Sequence, residues 1–111
     1  MIRKYVFCSL LLVASTVVSA VPYSQDTGVI KRFHASNSGA VAVSLNAGFP
    51  KASGDRQCPN AAGDWAGDTN IDPTVKSALL AAYLSGKRVT VTTQGCDSGG
   101  GWYRLIDVYL D

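Results

Sequence analysis

The side chains best suited to meet a ligand are aromatic and stand beside turns. Trp65 follows Gly63 and Asp64, while Trp102 and Tyr103 follow a glycine run ending at Gly101, with Tyr109 further along. A pyranose ring can lay its apolar C–H face on such rings while nearby Asn and Asp side chains take its hydroxyls, so this composition fits sugar recognition. Core packing is the competing use of a large ring. Trp65 reads as a buried anchor as readily as a contact residue, Trp102 and Tyr103 fit either role, and Tyr109 alternates with inward positions or faces a neighbouring copy of the chain.

Bond-making chemistry has less to stand on. His34 is the one histidine and the natural acid or base near neutral pH, yet it sits at strand spacing beside Arg32 and reads as an exposed strand residue. No Gly-x-Ser-x-Gly elbow occurs, and the aspartates scatter over turns rather than pairing as glycosidase carboxylates do. The expectation is that the chain is not an enzyme and has neither catalytic residues nor cofactor. "DTNID" places Asp68, Asn70 and Asp72 at the spacing that opens a calcium loop. The sixth position is Pro73 and the twelfth Leu79, so helix capping and turn formation explain these residues better. Zinc lacks a Cys-x-x-Cys pair, and no metal is expected.

The elements that must hold these residues begin after a leader. Arg3 and Lys4 precede an apolar run from Tyr5 to about Val18, and Val18, Ser19 and Ala20 offer small side chains for cleavage. This is the pattern of a secretory signal peptide over residues 1–20, too short in its apolar part for a membrane anchor. Removing those 20 of 111 residues leaves 91, enough for one small domain over residues 21–111. Eight Lys and Arg then face eight Asp with no Glu, which argues against a phosphate-tracking, nucleic-acid surface. Cys8 leaves with the leader, so Cys58 and Cys96 remain and are expected to pair in a secreted or periplasmic setting.

Periodicity supplies the elements. "TGVIKRFHAS" alternates, with Val29, Lys31, Phe33 and Ala35 on one face and Ile30, Arg32 and His34 on the other. Asn37 to Gly39 turn it into "AVAVSLNAG", so residues 28–47 read as a hairpin. Gly48 to Gly67 is loop chemistry, with a short strand at "DWAGDT". Asp72 and Pro73 start a helix whose stripe is Val75, Leu79, Ala82 and Tyr83, widened by Leu80 and Leu84, and Gly86 stops it. Two strands follow, one with Val89 and Val91 inward, the other with Ile106, Val108 and Leu110 inward. The order is β-β-β-α-β-β. A small five-stranded OB-fold-like barrel, mainly β with one helix and one disulfide, accounts for it, and closure removes exposed edges. A flat α+β sheet is the alternative.

The stretch "LLAAYLSGKRVTV…GC…WYRLIDVYL" resembles the C-terminal half of the B subunits of bacterial AB5 toxins, most nearly those similar to the subtilase cytotoxin B subunit. By motif the resemblance covers residues 65–110, "WAGDT" included, and by layout it extends over nearly all of residues 21–111 with the first hairpin. It implies an OB-fold that assembles as a homo-pentamer, binds a cell-surface oligosaccharide, and carries a separate toxin A subunit. On the ligand face of such a fold, built around its second and third strands, Ser44, Asn46, Trp65 and Asp68 become candidate contacts beside Trp102 and Tyr103. The alternative is a monomeric periplasmic or secreted protein-interaction or inhibitor domain on the same scaffold.

Overall fold

The computed structural model describes residues 22–61, 64–98 and 101–111, so the expected leader lies outside the described residues. Five strands form a closed barrel: β1 (Ser24–Ala35), β2 (Val41–Leu45), β3 (Ala66–Asp68), β4 (Arg88–Cys96) and β5 (Tyr103–Leu110). Helix α1 (Pro50–Gly54) lies between β2 and β3, and the main helix α2 (Pro73–Ser85) between β3 and β4. The ring order is β1-β2-β3-β5-β4, with β4 returning to β1. Every pairing is antiparallel except β3 with β5. This is the OB-fold-like order expected from the sequence, with α1 as an addition inside the Gly48–Gly67 loop.

Three register shifts interrupt the pairing among the described residues, and two of them reset which side chains face inward. Ile30 pairs with Leu45, and the next pair is Arg32 with Ser44, so Lys31 is the extra residue and the phase of β1 reverses there. Ile30 and Phe33 therefore both turn toward the core, while Arg32 and His34 stay exposed. The strict alternation that grouped Lys31 with Phe33 is corrected by this one residue. In β5, Val108 opposes Val91 and Leu105 opposes Thr93, three residues spanning what two span on β4. Leu105 thus takes the core position that plain alternation assigned to Ile106.

The barrel's two mouths are closed differently. Helix α2 leaves just after β3 and returns to the start of β4, covering that mouth with Leu79 and Ala82, which join Val41, Val43, Val89 and Val91 in the core. Its N-terminus is held by Asp72, whose carboxylate accepts from the amides of Thr74 (2.7 Å) and Val75 (3.4 Å). Gly86 closes it at φ 69°, with the Lys87 amide reaching the Ala82 carbonyl. Tyr83 stacks on Phe33 at 5.7 Å, whereas Leu80 and Leu84 are exposed rather than part of the buried stripe.

At the opposite mouth the closure is polar. Asp26 on β1 is only 3% exposed and accepts from the first free amides of α1, Lys51 N (2.8 Å) and Ala52 N (3.0 Å). Gln57 donates to the Pro22 carbonyl and the Ser24 hydroxyl and accepts from the Gly95 amide. Next to it Cys58 bonds Cys96, with Cα atoms 5.0 Å apart, so two successive residues clamp the loop to β4. The disulfide spans 38 residues, and the chain-entropy model puts its contribution at roughly 4 kcal/mol. Among the described residues no helix is long and apolar enough to cross a membrane.

Two substitutions test this architecture. Asp26→Ala removes the acceptor of the buried Ala52 amide and of the part-buried Lys51 amide and is expected to cost about 1–3 kcal/mol in urea denaturation. Gly67→Ala is expected to cost about 3 kcal/mol or more by the same measurement, because its Cβ would overlap the Val41 carbonyl oxygen and meet Ala42 Cα at 2.6 Å.

Candidate ligand-binding surface

Pairing register assembles a cluster on the barrel's outside. Phe33, Val43, Ala66 and Tyr103 form one row across β1, β2, β3 and β5, and their side chains point inward. The row beside it therefore points outward, since neighbouring residues of a strand take opposite faces. That row contains Arg32 and Ser44, and it is continued by Trp65 and Trp102, which immediately precede the parallel pair Ala66 and Tyr103. On the far side of Phe33, the pair His34 and Ala42 points the same way.

The rings meet accordingly. His34 stands edge-on to both indoles, 5.7 Å from Trp102 and 6.3 Å from Trp65 between centroids, at 71° and 73°. The Arg32 guanidinium carbon lies 4.6 Å from the Trp65 ring centroid, a cation–π contact worth about 0.5–1 kcal/mol where water has access. Both tryptophans are half-buried, and Arg32 and His34 are exposed. The platform thus offers aromatic faces and N–H donors at one place.

Its supports are hydrogen bonds. The Ser44 hydroxyl, fully buried, donates to the Asp64 carbonyl at 2.6 Å and fixes the chain just before Trp65. The Trp65 carbonyl accepts from the Tyr103 amide at 3.1 Å. Trp102 donates its amide to the Asp97 carboxylate, and its carbonyl accepts from the Asp97 amide, each at 3.1 Å, which closes the turn that presents it. The hydroxyls of Thr69 and Ser98, 2.6 Å apart, tie that turn to the end of β3.

Of the residues singled out from the sequence, Trp65 and Trp102 come together. Tyr103 is 9% exposed and packs on Phe49 at 5.8 Å, beneath the surface. Ser44 acts as a support, with its hydroxyl engaged internally. Asn46 is exposed, its Oδ1 accepting from the Val29 amide at 3.1 Å. Asp68 is half-buried and accepts from the Asn70 amide at 3.1 Å, as turn formation requires. Arg32 and His34 are the residues that sequence reasoning did not connect to the site. Their shared face was visible in the alternation, but nothing local ties them to tryptophans so far along the chain. Among the described residues no group of three His, Cys, Asp or Glu side chains is placed to hold a metal.

Ser44→Ala is expected to leave the Asp64 carbonyl unpaired, cost about 1 kcal/mol, and raise acrylamide quenching of Trp65 when measured in a Trp102→Phe background. Compared with protein-family models, curated proteins and solved structures, the chain matches none.

Proposed function

We propose that this protein is an exported glycan-binding module that recognises an oligosaccharide at the Trp65 and Trp102 platform and makes or breaks no bond. The observation that carries this reading is the convergence of two half-buried indoles, an exposed histidine and an exposed arginine on the outer face of a closed barrel whose long loop is pinned by a disulfide. Half-buried rings are fixed by the scaffold and still expose part of their surface, so little side-chain entropy is lost on binding, and a sugar that stacks on Trp65 displaces the Arg32 guanidinium lying over that ring. Arg32 and His34 supply directional donors at the rim.

The reading includes cleavage after Ala20 and release to the periplasm or the medium, where the Cys58–Cys96 bond persists. The likeness of the helix and last hairpin to AB5 toxin B subunits extends it to a ring of five copies that presents several platforms to a cell surface and carries a separate catalytic A subunit. Leu84 and Tyr109, 75% and 54% exposed, and Leu80 and Leu110, both 43% exposed, provide apolar area for contacts between copies. The same side chains favour the second reading, a monomer that docks a different protein through α2 and the end of β5.

On a glycan array, the purified mature protein is expected to retain a discrete set of oligosaccharides. Trp65→Ala or Trp102→Ala is expected to weaken that binding about thirtyfold or more, as truncation of a central aromatic contact does. Light scattering is expected to give five times the mass of the mature chain. An array at background together with a monomeric mass would remove the proposal and leave the protein-docking reading.

A further inference from the structure

The outward face continues past the tryptophans. Along β2 the side chains opposite His34 and Arg32 are Ala42 and Ser44, both fully buried, and exposed Asn46 lies just beyond the strand with its Oδ1 on the Val29 amide. Asn46 follows Ser44 by two residues, in the turn that ends β2. Lys31, the bulged residue, is exposed beside Arg32. At this step the surface drops into a cleft of about 420 Å³, walled by Lys31, Asn46, Ser53 and Asp64 and floored by the buried rings of Phe49 and Tyr103. That volume is within the range of sites that hold a small molecule.

The cleft and the platform are built from the same three segments. Lys31 and Arg32, Asp64 and Trp65, and Tyr103 and Trp102 are sequence neighbours, with one member of each pair in the cleft and the other on the platform. The two sites are therefore adjacent along each of the three segments.

The lining selects a ligand class. Lys31 donates, Asp64 accepts, the Ser53 hydroxyl does either, and Asn46 has its Oδ1 held by the Val29 amide with Nδ2 available to donate. One cation and one anion leave the lining without net charge, so it offers no excess attraction to an anionic or a cationic group. A neutral ring bearing several hydroxyls satisfies donors and acceptors together and covers the aromatic floor. The Asp64 carboxylate is positioned against Gly48, 3.8 Å from the site of its absent Cβ, and Gly48 itself turns the chain at φ 72°.

We infer that this cleft is a second subsite, which takes a neutral sugar residue of the same oligosaccharide whose neighbouring residue stacks on Trp65 and Trp102. The inference rests on the glycan-binding reading and narrows its ligand to neutral chains of two or more residues.

The test uses the full mature chain and a printed array of neutral and acidic glycans from monosaccharides to hexasaccharides. Neutral glycans of two or more residues are expected to be held at least about tenfold more tightly than the monosaccharides they contain. Lys31→Ala and Asp64→Asn, both at exposed positions, are each expected to lower that binding by roughly threefold to tenfold without changing the circular dichroism, the loss appropriate to one hydrogen-bonding partner. Monosaccharide binding is expected to stay unchanged in both variants and to fall in Trp65→Ala. Binding independent of chain length, binding unaltered in Lys31→Ala and Asp64→Asn, or retention of acidic glycans alone would overturn the subsite while a loss in Trp65→Ala still upholds the glycan reading. An array on which the wild type retains no glycan would overturn both.

Discussion

Everything on the outer face depends on how closely β3 can approach its two neighbours. With three residues, β3 must pair with β2 on one side and β5 on the other, and these are the contacts that complete the ring. Ala66 and Gly67 permit this because one has a methyl side chain and the other none, and a Cβ on Gly67 would overlap the β2 backbone. Parallel pairing of Ala66 with Tyr103 then has a direct chemical result. The residues just before them, Trp65 and Trp102, are brought into one row and face outward together. A flat sheet ending at β3 would leave Trp102 with no such neighbour, so the aromatic platform is a product of closure.

Closure also has to hold at both mouths, and the sequence solves the two ends with different chemistry. Helix α2 covers one with aliphatic side chains, for which burial of each large residue stabilises by about 1.5–3 kcal/mol. The other mouth is short of apolar residues, and Ser24, Asp26, Gln57 and Thr93 are all at most 5% exposed there. Such groups impose a penalty unless they are paired. Asp26 and Gln57 meet that requirement by bonding to backbone groups of α1, the N-terminal segment and β4. The Cys58–Cys96 bond sits directly beside this network and limits how far its loop can drift when those hydrogen bonds open.

The parts legible in the sequence are those whose causes are local. Asp72, Pro73 and Gly86 mark the ends of α2 through side-chain and backbone preferences that need no tertiary contact, and the structure places both boundaries there. The first turn and the pairing of Cys58 with Cys96 are legible for the same reason, one from turn residues and the other from a count of two. The bulge at Lys31 is different. Its cause is the register between β1, β2 and β4, and alternation read along one strand cannot show where a residue is left over. Helix α1 is hidden from a sequence reading because its N-terminal amides are satisfied by Asp26, a residue more than twenty positions earlier, rather than by a cap of its own. The site is half legible: Trp65 and Trp102 stand out by type, whereas Arg32 and His34 join them only through strand pairing.

The bulge and the platform are linked. Without an extra residue at Lys31, the phase that places Ser24 and Asp26 inward at one end of β1 would carry through to its other end and turn Arg32 and His34 toward the core. That interior is filled by Val41, Val43 and Leu45 and has no room or partner for a guanidinium and an imidazole. One inserted position lets β1 serve the polar mouth with its first half, fill the apolar core with Ile30 and Phe33, and still present Arg32 and His34 to the tryptophans. The bulge leaves Lys31 as the unpaired residue at the border between platform and cleft, so a backbone irregularity needed for packing also supplies a charged side chain to the outer surface.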